Sequence, residues 1–115
     1  MAVTEAFSGI ETVTTTEWSL TNDSSTIATN TTAGCYQLLL DLNALAAGDE
    51  YQIRCYEKVR SADTQRVVWQ SNIVGIPPSP NWASPALMLL NGWDFTIDKI
   101  AGTDRSITWS IRKAA

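Results

Sequence analysis

Between Trp93 and Ile111 apolar and polar residues alternate with a period of two, and this stretch constrains the fold more than any other. Trp93, Phe95 and Ile97 alternate with Asp94, Thr96 and Asp98. Beyond the segment Ile100-Ala101-Gly102-Thr103-Asp104, Ile107, Trp109 and Ile111 alternate with Ser106, Thr108 and Ser110. Successive side chains of a β-strand point to opposite faces, so each half reads as a strand with one buried face. The spacing predicts a hairpin with Ile97 opposite Ile107, Phe95 opposite Trp109 and Trp93 opposite Ile111. That register gathers six large apolar side chains on one face and leaves Asp94 and Asp98 on the solvated one. A slip of one residue would expose the whole set, so the register is strongly specified.

The same period recurs along the chain. Ile10 to Leu20 reads as a strand with Ile10, Thr12, Thr14, Thr16, Trp18 and Leu20 on one face, its threonine-rich middle suited to a sheet edge. Thr21 to Gly34 is loop-like, with room for a short strand around Ile27. Cys35 to Leu42 turns Tyr36, Leu38, Leu40 and Leu42 inward, and Gly48-Asp49 breaks the chain before the next strand. Tyr51 to Arg60 places Tyr51, Ile53, Cys55 and Val59 together. Arg66 to Val74 places Val67, Trp69, Ser71 and Ile73 together. Gly75 to Pro85 holds all four prolines, and proline cannot donate to a ladder, so this is a crossover or an exposed arm. Ala86 to Asn91 reads as a short strand covered on both faces.

These elements make an all-β fold: one domain over residues 1–115, an antiparallel β-sandwich of jelly-roll-like kind with seven or eight strands. Alternation alone leaves jelly-roll and immunoglobulin-like strand orders both open. Composition agrees. Threonine occurs 14 times and serine 10 times, against five glutamates and three lysines, too few of the latter to solvate helix faces. A hydrophobic content of 44% is enough to fill a core and excludes wholesale disorder. No apolar run approaches the roughly 20 residues that cross a bilayer as a helix, so no membrane partner is expected.

The formal charge is −4, opposite in sign to what a nucleic-acid backbone attracts, so no nucleic acid is expected either. Its distribution is uneven. Met1 to Ile53 contains seven acids and no lysine or arginine, whereas all eight bases lie from Arg54 onward, with five acids. Strands from the two halves either interleave and mix these charges or leave opposed patches. The N-terminus has neither a basic region nor an apolar stretch of a secretion signal, which places synthesis in the cytoplasm. The sequons at Asn22 and Asn30 are then turn residues, and Cys35 and Cys55 are reduced strand residues.

Catalytic chemistry finds little footing. Histidine is absent, removing the commonest general acid–base group and metal ligand together. Two thiols alone leave a tetrahedral metal site half empty. Asp94 and Asp98, four residues apart on a strand, are about 13 Å apart, beyond a glycosidase pair. No phosphate-binding, dinucleotide, nucleophile-elbow or EF-hand motif occurs, so no enzyme activity, cofactor or metal is expected.

Binding surfaces remain. Trp82 lies among Pro77, Pro78, Pro80 and Pro85, where it is either a lid folded over the sandwich or a stiffly held contact anchor. Together with Tyr56 or Trp18 it offers stacking surface for sugar rings. Thr12, Thr14 and Thr16 form a face of short side chains on which a neighbouring subunit could pack; the other reading is an edge strand guarded by Glu11 and Glu17.

The segments GWDFTIDKIAGTDRSITWSIRK and LLLDLNALAAGDEYQIRCYEKV resemble small structural proteins of tailed bacteriophages and prophages, of the head decoration or cement kind. The resemblance implies a virion protein that binds the major capsid protein or other virion subunits, is a homo-oligomer on the particle, and stabilises the assembled head. It carries over no functional residue. A tail or connector part, or a carbohydrate-binding module on the virion surface, is the alternative.

Overall fold

Hydrogen-bond pairing, more than strand propensity, decides this architecture, because strands adjacent in sequence mostly join different sheets. The computed structural model describes residues 2–114. Nine strands follow in order: β1 (Val3–Val13), β2 (Trp18–Ser19), β3 (Gly34–Asp41), β4 (Glu50–Glu57), β5 (Arg66–Val74), β6 (Asn81–Ala83), β7 (Leu87–Leu89), β8 (Asp94–Ala101) and β9 (Arg105–Ala114). Sheet A has the order β1-β9-β3-β6, with β7 also pairing β3; sheet B has the order β2-β8-β4-β5. All pairings are antiparallel. Among the described residues, β4–β5 is the one case of consecutive strands that pair. Every other connection between named strands, save the link from β6 to β7, crosses from one sheet to the other, the strand order of a jelly roll. The expected all-β sandwich is what forms. β6 and β7 share one position beside β3, giving eight strand positions.

The connections β1–β2, β3–β4, β5–β6 and β8–β9 lie at one end of the sandwich, the Asp49 end. The connections β2–β3, β4–β5 and β7–β8 lie at the other, the Lys58 end.

Between the sheets sits one core. Leu38 and Leu40 of β3, Tyr51, Ile53 and Cys55 of β4, Phe95 and Ile97 of β8, and Ile107, Trp109 and Ile111 of β9 are buried in it. Tyr36 packs on Trp93 with centroids 4.2 Å apart and the rings inclined at 42°, and Phe95 meets the same indole edge-on at 6.1 Å. Both buried indoles keep a hydrogen-bond partner: Trp93 Nε1 donates to Thr32 O at 3.1 Å and Trp109 Nε1 to Leu20 O at 2.8 Å.

The hairpin expected from Trp93 to Ile111 does not form. β8 pairs with β2 and β4, β9 with β1 and β3, so the segment is an arch over the core. Its six apolar residues do share one interior, but they meet across it instead of side by side. The cause lies in the turn. Asp49 Oδ1 accepts from Thr103 N at 2.9 Å and Asp49 Oδ2 from Arg105 Nε at 2.8 Å. Tyr51 OH donates to Thr103 O at 2.7 Å and accepts from Arg105 N at 2.8 Å. Asp49, just before β4, and Tyr51 within it thus capture the groups that a hairpin turn would have paired within itself.

Other expectations are corrected. Ile10–Leu20 is not one strand: β1 ends at Val13, and after a four-residue crossing β2 joins the other sheet. In β1 the face carrying Ile10 and Thr12 is the outward one, with Ile10 64% exposed and Val13 buried on the other side, whereas Leu20 beyond the crossing is buried. No strand forms around Ile27. The run at Ala86–Asn91 is covered on one face only, since Met88 is 88% exposed. Val59 lies beyond β4 and in solvent. Asp94, Thr96 and Asp98 are buried, not solvated.

Candidate functional site

Sheet A presents its outer face through register. Gly9 pairs with Trp109 on the inward side, and the indole fills the space where a Cβ at position 9 would lie. The intervening residues face outward. One row crosses the sheet as Ser8, Ser110, Leu39 and Ala83; the next as Ile10, Thr108, Asp41 and Asn81. Short side chains therefore floor the middle of this face, with Ile10 and Leu39 as its apolar points. Glu5 and Arg112 border one side, and these residues, Ala83 excepted, line an open depression of about 560 Å³. Glu5 accepts from Ser110 Oγ at 2.6 Å, and the bonds from Ser110 and Ser8 hold its carboxyl below the usual range.

The candidate contact residues fall at two places. Thr12 lies on this outer face, opposite Ser106. With Thr14 and Thr16, both on the β1–β2 crossing, it lines a second depression beside Trp18. Pro77, Pro78 and Pro80 lie in the β5–β6 connection at the opposite sheet edge, and Pro85 lies between β6 and β7. The two sets do not form one site. Trp82 is half-buried in β6, its ring 5.9 Å from that of Trp69 on β5, inclined at 36°. The pair closes the sandwich where the edge strands of the two sheets meet, so Trp82 takes the lid position.

Sheet B carries a polar network that sequence reasoning missed. Asp94 accepts from Ser19 Oγ at 2.6 Å, Thr21 Oγ1 at 2.7 Å and Ala28 N at 2.9 Å. Burial still pushes its carboxyl above the usual range. Nearby, Glu17 Oε2 accepts from Thr96 Oγ1 and from Tyr56 OH at 2.7 Å, and lies 3.2 Å from Arg54 Nη1. Burial works against ionised Glu17, yet the bonds from Thr96, Tyr56 and Arg54 outweigh it and bring the carboxyl below its ordinary range. Asp98 shares the same guanidinium at 3.9 Å, its Oδ1 accepts no hydrogen bond, and burial raises its carboxyl. The signal for this network lay in Ser19, Thr21 and Glu17, far from β8 in sequence. Cys55, buried, is pushed up to about 12, leaving it a thiol. Among the described residues no three His, Cys, Asp or Glu side chains gather as a metal-binding group.

No protein-family model and no curated protein matches the sequence. Solved structures with a similar course of chain include the Eiger TNF from S. frugiperda, at 13% identity and TM-score 0.42 over 74% of this chain and 62% of that one. The C-terminal domain of A223, a structural protein from Sulfolobus turreted icosahedral virus, is similar at 12% identity and TM-score 0.40, over 99% of this chain and 100% of that one. A xylan-binding domain of carbohydrate-binding module 22 is similar at 12% identity and TM-score 0.42, over 86% of this chain and 64% of that one. This chain thus spans less than two thirds of the Eiger and xylan-binding chains.

Proposed function

We propose that the chain is a non-catalytic structural component of a bacteriophage virion, a decoration or cement protein that lays the outer face of sheet A on the assembled head. One observation carries the reading: the outer face of sheet A is an open depression of about 560 Å³ floored by Ser8, Ser110 and Thr108, with Ile10 exposed and Leu39 half-buried on it. Short side chains admit close approach of another protein surface, and an open floor does not enclose a small molecule. A protein that binds the assembled shell and not the free subunit stabilises the shell by mass action. The partner is the major capsid protein or another virion subunit; a tail or connector position would use the same face.

The groups with most chemical potential are already engaged, which supports binding over catalysis. Glu17 is held by three donors and Cys55 stays protonated. Carbohydrate binding draws less support, because all five tryptophans are buried or half-buried and none extends a row of open rings.

The test is occupancy on purified particles. Ile10→Asp with Thr108→Arg should remove the protein from particles while its circular dichroism and Tm stay unchanged. Full occupancy of that double variant, or absence of the wild-type protein from particles, overturns the reading.

A further inference from the structure

The two ends of the sandwich adjoin the sheet A face, sharing Glu5, Asp41 and Arg112 with its rim, and differ in charge. Arg54, Arg60, Lys99 and Arg105 each sit in an ion pair. Among the described residues, Lys58, Arg66, Arg112 and Lys113 have no carboxylate at ion-pair distance. All four lie toward the Lys58 end: Arg66 opens β5 opposite Glu57, and Arg112 and Lys113 lie near the end of β9. Glu11, Asp41 and Glu50, also without ion pairs, lie toward the Asp49 end, where β1 and β3 finish and β4 begins. The paired groups do not reverse this. The Lys58 end holds five cations, counting Arg60, against Glu5, Asp23, Glu57 and Asp63, with Asp94 buried beneath them; the Asp49 end holds Glu11, Asp41, Glu50, Asp49 and Asp104 against Lys99 and Arg105, so it is the more acidic of the two.

Each end also exposes apolar side chains beside its charges. At the Lys58 end are Val59, 85% exposed, and Leu90, whose amide donates to the Glu57 carboxylate. At the Asp49 end are Val74, 72% exposed and opposite Glu50 in register, with Ile76 at 69% and Ile100 close by. An apolar patch flanked by cations matches an apolar patch flanked by carboxylates; two like ends would repel.

We propose that copies of this chain associate head to tail, the Asp49 end of one seated on the Lys58 end of the next. Such a contact is heterologous, so it closes into a ring where the rotation permits and otherwise extends as a row. With its charges at the surface, the contact is weak and screened by salt. The inference does not rest on the virion reading and is measured on the purified protein alone.

Sedimentation velocity up to about 1 mM protein tests it, in roughly 25 mM and 500 mM salt, where the screening length falls severalfold. The expected result is concentration-dependent association at low salt that disappears at high salt. Glu50→Lys and Arg66→Glu should each weaken association at least about tenfold, with circular dichroism and Tm retained. An equimolar mixture of the two should recover it, because the new cation of one variant meets the new carboxylate of the other. A wild-type protein that stays monomeric at low salt, variants that associate like wild type, or a mixture that fails to recover would each overturn the proposal.

Discussion

Gly102 leaves open the space that the Asp49 side chain occupies: a Cβ at 102 would overlap Asp49 Oδ1 and crowd its Cα at 2.7 Å. The glycine holds φ at +94°, a conformation other residues adopt only under strain. Gly102→Ala should therefore cost on the order of 1–3 kcal/mol in urea unfolding. The loss should come with disturbance confined to the β8–β9 turn, seen as amide shifts at Thr103 and Arg105. An alanine variant as stable as wild type would remove this account of the arch.

The same carboxylate fixes an acid limb of stability. The amides of Thr103 and Ala46, then the Arg105 guanidinium, hold Asp49 at about 2, below its ordinary 3.8. A depressed carboxyl contributes stability that is complete above the unfolded value and is lost as pH falls through the folded one. Asp49→Asn should lower Tm at pH 7 by several degrees and flatten the fall in Tm between about pH 4 and 2. Melting curves across that range decide it.

Asp98 works in the opposite direction. Its folded carboxyl is raised by burial, so the ionised form opposes folding at neutral pH and the opposition vanishes below the unfolded value of 3.8. Asp98→Asn should raise the urea midpoint at pH 7, with Arg54 still paired to Glu17, and the gain should close by about pH 3. Equal gains at both pH values would exclude this cause.

Trp82→Ala should destabilise by about 1–3 kcal/mol, because it opens the seam closed with Trp69. Trp69 emission should move to the red, and Trp82→Phe should retain most of the stability. An unchanged urea midpoint for Trp82→Ala would instead mark the ring as free for contact.

The thiols should differ sharply. In native protein at pH 8, Cys35, half-buried, should react with Ellman's reagent, while Cys55 should react only on unfolding. Two fast equivalents would show that the core around Cys55 opens readily.

Much of the fold could be read from alternation, because burial on one face of a strand leaves a direct trace. The pattern turns Tyr36, Leu38 and Leu40 inward and groups Tyr51, Ile53 and Cys55 on one face, and all six are buried. What alternation does not record is the neighbour across a ladder. A hairpin and an arch need the same pattern from Trp93 to Ile111; Asp49 and Tyr51, some fifty residues upstream, select the arch. Polarity misled at Asp94, which a distant loop covers and whose oxygens Ser19, Thr21 and Ala28 satisfy. The outer face of sheet A was legible only at Thr12. Its other residues come from strands far apart in the chain, and short serines and threonines look alike on any exposed strand.

The pairing of Val3 with Ala114 bears on synthesis. Of the nine strands β1 is made before the others, yet β9, which completes its ladder, is made after them, so sheet A cannot close until β9 has emerged. Contacts this remote in sequence slow folding, and the nascent chain meanwhile displays an unpaired β1, for which a finished neighbour's open edge is a competing mate.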